Sequence, residues 1–438
     1  MEAPRSDIDG AEIGGAGVGG AGAGIAARAE RFFATRILPR HADWVAATQA
    51  GERMPAFVAT LREEARAEGL WNLGIPPRAG SGGPGLSNRD FAPIAELTGR
   101  LPWASLVFNC HAPDLPNMIM LDALATPGQR ERFLVPLLEG RAASAFAMTE
   151  PDVASSDATN IATTIRADGG DLVVSGRKWF ITGAAAPDLS FHIVMGVTDP
   201  EAPRTARHSA VLVPADAPGI RVERTLRFLG WDDHVAPIGE IVFDEVRVPA
   251  ANMLGEPGRG FDAAQVRLGP ARLHHAFRCI GLAEMLLDLM KRRMRERTAF
   301  GRSLAEYDSV QQWIAEGRIG IDMSRHFLNH AAAELDANGF KASWRAISMA
   351  KVHVPRMLQE IADRALQLFG AAGGSDDHLI HHAFVYARMF RIADGPDEVH
   401  LRQIFRSEPV PEGALQDSGY VARRAAGHPN DNKTGRTQ

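Results

Sequence analysis

The chain has 438 residues, of which 45% are hydrophobic and 23% are charged, and its formal net charge is −5. A chain of this length can fold into two or three domains with a large core. The acidic balance gives no electrostatic case for binding nucleic acid or an anionic membrane, and no apolar run is long enough to span a bilayer. Cys110 and Cys279 lie far apart and match no metal-ligand spacing, so we expect buried free thiols and no metal site.

Both ends of the chain differ in composition from the middle. Residues 1–24 are rich in glycine and alanine and predict a flexible extension. The first residues lack a basic stretch followed by an apolar core, so no signal peptide is expected and a cytoplasmic location is the simplest prediction. Residues 409–438 are polar and predict a C-terminal tail.

The segment between these ends changes pattern twice, which predicts an α+β multidomain fold. Residues 25–142 have helical periodicity, and residues 255–408 return to it with long amphipathic stretches. Residues 143–254 contain short β-branched and apolar runs bounded by turn residues, which predict strands. These runs are Asp171–Gly176, Phe191–Met195, Ser209–Val213 and Ile241–Phe243.

Two segments of the strand-rich region suit a flat, polar-edged ligand. The loop of residues 146–157 is dense in hydroxyls and backbone donors that could bind the edge of a heterocycle, although Ser, Asp and Pro are equally typical of a surface turn. Downstream, Trp179 and Phe180 stand beside Thr182, and an aromatic face next to a hydroxyl suits one side of a planar ring. Ordinary packing within a sheet is the alternative for this aromatic pair.

A cluster of carboxylates interrupts two helical stretches near the C-terminus. Asp394 precedes Gly395 and Pro396, which permit a sharp entry into the following helix. A carboxylate at such a break can point into a cleft while its backbone N–H stays free. Capping of the helix is the ordinary role of an aspartate here. We expect Asp394 to carry the chemistry, and Asp397 and Glu398 to cap the helix that follows.

Taken together, these motifs resemble those of the acyl-CoA dehydrogenases. The resemblance covers about residues 25–408, and its motifs occur in that family's order and spacing. They are Thr149-Glu150-Pro151, Lys178 with Ile181-Thr182, Arg297–Gly301, Gln367–Gly373 and Asp394-Gly395. The stretch Ala393–His400 is most similar to a branch that, in animals, includes dehydrogenases of hydroxylated acyl groups.

The resemblance implies an N-terminal helical domain, a middle β-barrel-like domain and a C-terminal four-helix bundle, with FAD between the β domain and the bundle. It assigns cofactor contacts to the loop, the aromatic strand and two distant segments. Those residues are Met148, Thr149, Ser155, Ser156, Phe180, Thr182, Arg297, Phe300, Gln367 and Gly370. Arg297 and Phe300 match residues that reach the FAD of a neighbouring subunit, so the resemblance implies a homo-oligomer, either a dimer or a tetramer.

The reaction implied by the resemblance is α,β-dehydrogenation of an acyl-CoA thioester. Asp394 would remove the α-proton while hydride passes to flavin N5, and its backbone N–H would help to hold the thioester oxygen. The substrate-binding positions would be Arg272, Gly395, Ser155 and His275. Desolvation is expected to raise the pKa of Asp394 toward working pH. An electron-transfer flavoprotein is the implied electron acceptor.

The sequence also departs from the family pattern. The usual base is Glu, whereas this chain has Asp394, and the nitroalkane oxidases, which resemble the family, use Asp at this junction. A flavin oxidase or monooxygenase on the same scaffold is therefore the alternative function. Ser155 and Ser156 both precede Asp157, which leaves open which serine takes the family's role. His274 and His275 follow Arg272, and either they are packing or capping residues or one of them contacts a polar or phosphorylated acyl substituent.

Overall fold

The computed structural model describes residues 20–77 and 82–409. The N-terminal domain is helical, and its first helix begins at Gly20, so residues 20–24 belong to that helix and not to the predicted extension. Residues 1–19 and the predicted tail beyond residue 409 lie outside the described part of the chain. The helices are α1 (Gly20–Phe32), α2 (His41–Gln49), α3 (Ala56–Ala67), α4 (Asn88–Gly99), α5 (Ala104–Val107), α6 (Asp114–Leu124), α7 (Pro127–Gln129) and α8 (Val135–Leu138).

Local sequence explains where these helices start and which face they bury. Helix α3 buries Val58, Leu61 and Ala65, which share one face at helical spacing. Helix α4 begins after Ser87, whose hydroxyl accepts a hydrogen bond from the backbone N–H of Asp90 at 3.0 Å. Such a cap satisfies a donor that the helix leaves unpaired.

A mostly antiparallel sheet forms the middle domain, and the four predicted runs lie in its strands β3, β4, β5 and β7. The strands are β1 (Ala143–Ala147), β2 (Thr164–Asp168), β3 (Asp171–Ile181), β4 (Leu189–Val197), β5 (His208–Pro214), β6 (Ile220–Leu226), β7 (Ile238–Pro249) and β8 (Met253–Leu254). Their order in the sheet is β6-β7-β3-β2-β4-β5-β8, and β1 pairs in parallel with β4. Val174, Val194, Val211 and Ile241 are buried in a separate core on this sheet.

Long helices form the C-terminal domain. They are α9 (Gly260–Glu296), α10 (Asp308–Asn338), α11 (Phe340–Phe369), α12 (Ile380–Phe390) and α13 (Asp397–Ser407), and a hairpin of β9 (Thr298–Ala299) and β10 (Arg302–Ser303) links α9 to α10. Helix α9 has 37 residues and continues through Pro270, a residue type that usually kinks or breaks the interior of a helix. It packs against α4, α6, α10, α11, α12 and β5, so it joins all three domains.

Helices from both ends of the chain share one hydrophobic core. That core includes Phe91 and Trp103 from the N-terminal domain and Phe277, Leu286 and Leu358 from the C-terminal domain. Cys110 and Cys279 are buried free thiols, as expected. Within residues 20–77 and 82–409, no helix is both long and apolar enough to cross a membrane.

Candidate active site

Two cavities meet where the sheet faces α9 and the α12–α13 junction. The inner cavity, of about 750 Å³, extends among α2, α4, α9 and α12 and includes His41, Trp231 and Tyr386 in its lining. The outer cleft, of about 1560 Å³, lies between the sheet and the C-terminal helices. The residues that line both spaces are Pro113, Thr182, Ile238, Arg267, Met389, Ala393 and Asp394.

Asp394 sits at this meeting point in a left-handed backbone conformation. Its φ is 56°, and Gly395 follows with φ 100°. A side chain at Gly395 would be strained at this φ, and its Cβ would lie 2.9 Å from His400 Nε2. The carbonyl of Asp394 accepts hydrogen bonds from Arg272 Nε at 3.0 Å and from His400 Nε2 at 3.3 Å. Its backbone N–H has no acceptor among the described residues, so that donor is available to a ligand.

Hydrogen bonds and ion pairs of buried side chains hold the junction between α12 and α13 in place. The Lys351 ammonium donates to the carbonyl of Gly395 at 3.2 Å and to that of Phe390. The prediction that Asp397 and Glu398 cap the following helix is wrong: Pro396 is the N-cap, and no side chain makes a cap hydrogen bond to this helix. The Asp397 carboxylate instead pairs with Arg356 and Arg391. Charge-assisted pairs are stronger than a cap bond, which accounts for the different role.

The pKa of the Asp394 carboxyl is lower than its ordinary value, contrary to the expectation from desolvation. Burial would raise this pKa, but His275, Arg267, Arg272 and Lys351 together lower it. Three of these groups, Arg267, Arg272 and His275, lie on α9 far from Asp394 in sequence, and Lys351 comes from α11. The carboxylate is therefore ionised at neutral pH.

A buried ion pair holds the Thr149 loop against β3. The Lys178 ammonium, fully buried, donates to Glu150 Oε1 and to the carbonyl of Met148, both at 2.9 Å. The Glu150 carboxylate also accepts the backbone N–H groups of Ala162 and Thr163 at 2.8 Å. Sequence reasoning noted Lys178 only as part of a motif and missed this role. Its position next to the aromatic pair Trp179 and Phe180 within a strand was the available signal.

The structure separates the roles of the two serines. The Ser155 hydroxyl accepts from the backbone N–H of Glu150 at 2.9 Å and donates to the carbonyl of Glu150 at 3.3 Å, so it closes its own loop. Ser156 is exposed and lines the outer cleft. Ser155 lines the same cleft, and of the two serines only Ser156 makes no side-chain hydrogen bond among the described residues.

The outer cleft offers the groups that an isoalloxazine ring requires. Phe180 is 41% exposed within the cleft, holds a φ of 50° and packs edge-to-face on Trp179 with ring centroids 4.9 Å apart. Met148, Thr149 and Thr182 line the same cleft. A large aromatic face left open beside hydroxyls fits one side of a flat heterocycle.

The adjacent histidines on α9 have different surroundings. His274 is buried, lies 3.2 Å from the side chain of Asn88 and packs edge-to-face on Phe91, which is the packing role. His275 lines the inner cavity, and its Nδ1 lies 2.7 Å from the hydroxyl of Tyr386. Burial is the main reason that the pKa of His275 falls to about 4, so this ring is neutral at pH 7.

Four of the predicted cofactor residues lie outside both cavities. Arg297, Gln367 and Gly370 are exposed, and Phe300 at the tip of the β9–β10 hairpin is 100% exposed with a φ of 51°. The structure therefore does not bring them to the cleft of their own chain.

Comparisons with known proteins agree with this architecture. Three domain families match in order: the acyl-CoA dehydrogenase N-terminal domain over residues 23–141, the middle domain over 145–246 and the C-terminal domain over 258–408. A solved structure from Mycobacterium abscessus, assigned in its description to the acyl-CoA dehydrogenases, has a TM-score of 0.86 and 43% identity. The match covers 92% of this chain and all of that one.

Curated relatives cover most of the chain as well. The protein called probable acyl-CoA dehydrogenase FadE2 of Mycobacterium tuberculosis is 47% identical over 83% of this chain and 88% of its own length. Human acyl-CoA dehydrogenase family member 11 is 43% identical over 81% of this chain, which spans only 45% of that longer protein. The chain is an oxidoreductase that belongs to the acyl-CoA dehydrogenase family.

Proposed function

We propose that the protein catalyses FAD-dependent α,β-dehydrogenation of an acyl-CoA thioester, with Asp394 as the base. The observation that carries this proposal is the position of Asp394, whose carboxylate lines both the inner cavity and the outer cleft. A thioester placed at this point has its acyl chain in the inner cavity and its α-carbon beside the carboxylate. Phe180 and Thr182 then face the reacting atoms from the opposite wall.

The outer cleft would hold the isoalloxazine ring through Met148, Thr149, Ser156, Phe180 and Thr182. When bound, FAD accepts the hydride that leaves the β-carbon. Phe180 would stack on the ring, and the hydroxyls of Thr149 and Thr182 would bind its polar edge. These residues would fix the position of the hydride acceptor relative to Asp394. Holding reacting groups close together in this way lowers the activation free energy of the reaction.

Asp394 would act through both its side chain and its backbone. The ionised carboxylate accepts the α-proton, while the free backbone N–H binds the thioester oxygen as negative charge develops on it. A preorganised donor of this kind is worth about 3–4 kcal/mol. Arg272 and His400, which hold the Asp394 carbonyl, would keep that N–H aimed at the substrate. Gly395, next in the chain, leaves the room that this turn needs.

A second copy of the chain would complete the cofactor site. Arg297, Phe300, Gln367 and Gly370 are exposed and line neither cavity of their own chain, and Phe300 is 100% exposed at the tip of the β9–β10 hairpin. We infer that these residues bind the FAD of a neighbouring subunit, so that the enzyme is a homo-oligomer. The family resemblance further suggests an electron-transfer flavoprotein as the acceptor of electrons.

Anaerobic titration of the purified, FAD-loaded protein with acyl-CoA esters tests the proposal. Loss of flavin absorbance on addition of a saturated acyl-CoA is the expected result, and nitroethane under the same conditions should leave the absorbance unchanged. Bleaching by nitroethane and by none of the esters would support the nitroalkane oxidase-like alternative.

The lowered pKa of Asp394 predicts how the reaction depends on pH. The base works only when ionised, so kcat/KM falls as pH drops through its pKa in the free enzyme. Because that pKa is below the ordinary value of 3.8, kcat/KM should stay flat from pH 7 down to about pH 5. The measurement is the rate of flavin reduction at limiting acyl-CoA across this range. A fall in kcat/KM centred near pH 6 would contradict the finding that the groups around Asp394 lower its pKa.

A further inference from the structure

The inner cavity contains a buried cation that the proposed chemistry does not use. Arg278 on α9 is 8% exposed and lines this cavity. Its guanidinium donates to the carbonyl of Cys110, while its Nε has no hydrogen-bond partner in the described part of the chain. A buried guanidinium with unsatisfied donors is costly, because each lost hydrogen bond to water goes uncompensated.

No carboxylate within the described residues forms an ion pair with Arg278. Its titratable neighbours are His111, His274, His275, Cys110, Cys279 and Tyr386, all of which are neutral at pH 7. Burial lowers the pKa of the three histidines, to about 4 for His275 and about 3 for His274. It raises the pKa of the Cys110 thiol to about 11, that of Cys279 to about 12 and that of Tyr386 further. Buried charges in proteins are normally paired, so the missing partner of Arg278 is an anion from outside the chain.

The position of Arg278 fits an anion carried on the acyl chain. Arg272 binds the backbone at Asp394, and Arg278 lies six residues further along the same helix, which is about 9 Å along its axis. His275, between them, lines the same cavity and is hydrogen-bonded to Tyr386. Ser105, whose hydroxyl lies 2.7 Å from His111 Nδ1, adds a polar group to this wall. Arg278, His275 and Ser105 therefore add polar groups to a cavity whose exposed lining is mostly apolar.

We propose that Arg278 is a specificity residue that binds a carboxylate on the far part of the acyl chain, so that the enzyme acts on CoA esters of dicarboxylic acids. This substrate class rests on the proposed dehydrogenase function. Arginine presents two parallel N–H donors that match a carboxylate, and the enclosed cavity would strengthen that pairing. A neutral acyl chain would leave the Arg278 guanidinium without a partner. A buried group left unpaired in this way strongly favours the charged substrate over the neutral one.

The test compares CoA esters of adipate, hexanoate and 6-hydroxyhexanoate, together with the matching eight-carbon set, on the FAD-loaded enzyme. We expect kcat/KM for the better dicarboxylyl ester to exceed that for the matching unsubstituted ester at least tenfold. The hydroxy ester should rank between them, since it offers a hydrogen bond but no charge. Equal kcat/KM values for the three esters at both chain lengths would overturn the proposal. A higher kcat/KM for the hydroxy ester would also overturn it and would indicate a substrate with a neutral polar substituent.

Variants at Arg278 separate charge recognition from a structural role. Arg278→Gln should reduce the dicarboxylyl-to-unsubstituted ratio at least tenfold, and Arg278→Lys should restore part of it. A loss that is equal for both esters would mean that Arg278 only supports the fold. Calorimetric binding of adipoyl-CoA against hexanoyl-CoA gives the same comparison without turnover. If no ester reduces the flavin, the dehydrogenase function fails, while the binding preference still decides the role of Arg278.

Discussion

Replacing Asp394 with Asn is expected to abolish reduction of the flavin by acyl-CoA while leaving FAD bound. The amide is nearly the same size as the carboxylate and keeps the backbone N–H in place, but it cannot accept the α-proton. Loss of a general base costs about 10²–10⁴ in rate, and we expect the upper end of this range because no other described carboxylate lines both cavities. Stopped-flow absorbance of the flavin under anaerobic conditions measures the effect.

Glu398→Gln is the matched control for this substitution. Glu398 lies four residues further along the chain and is exposed, so the same chemical change there should leave the rate within twofold. Asp394→Glu adds one methylene and moves the carboxylate by about 1 Å, which can cost about a hundredfold. Rapid bleaching by Asp394→Asn would exclude this residue as the base.

Replacing Lys178 with Met is expected to cost about 3–5 kcal/mol of folding free energy and to weaken FAD binding. Burial lowers the pKa of this lysine to about 8, with Glu150 acting in the opposite direction, so the pair is charged at pH 7. Removing one partner leaves the Glu150 carboxylate buried without its counter-charge. The loop that carries Thr149 would lose its anchor, because the same ammonium binds the carbonyl of Met148. Urea unfolding and a fluorescence titration with FAD report the two effects.

Lys291→Met provides the comparison for the second substitution. Lys291 pairs with Asp288 at 2.7 Å on the surface, and both side chains are substantially exposed. Exposed pairs contribute about 0–1 kcal/mol. The free energy of unfolding of this variant should therefore be close to that of the unmodified protein, and its affinity for FAD should be unchanged. Equal stability of the two lysine variants would show that the buried pair does not support the loop.

Local patterns in the sequence predicted the elements well, because those patterns act over short distances. The β-branched runs became β3, β4, β5 and β7, and the periodic stretches became the long helices. The junction at Asp394 was also predictable, since a glycine–proline break between two periodic stretches marks a turn. The prediction erred where it extrapolated a local rule at Asp397, whose carboxylate binds arginines from α11 and from the α12–α13 junction.

The electrostatics of the site could not be predicted from the sequence. The sign of the pKa shift at Asp394 depends on Arg267, Arg272 and Lys351, which come from two other helices. No spacing rule relates residue 351 to residue 394, because only the packing of α11 against the junction brings them together. Arg278 is a similar case, since its role depends on which groups surround it, and only the folded chain shows these.

Helix α9 is continuous where it lines the inner cavity, so the rise of the helix sets the spacing between its cavity-lining residues. Ala271, His275, Arg278 and Leu282 line the cavity from this helix at intervals of three or four residues. One turn corresponds to about 5.4 Å of acyl chain. Relatives could therefore adapt to shorter or longer substrates by moving a single charged side chain up or down the helix, without rebuilding the backbone or disturbing the base.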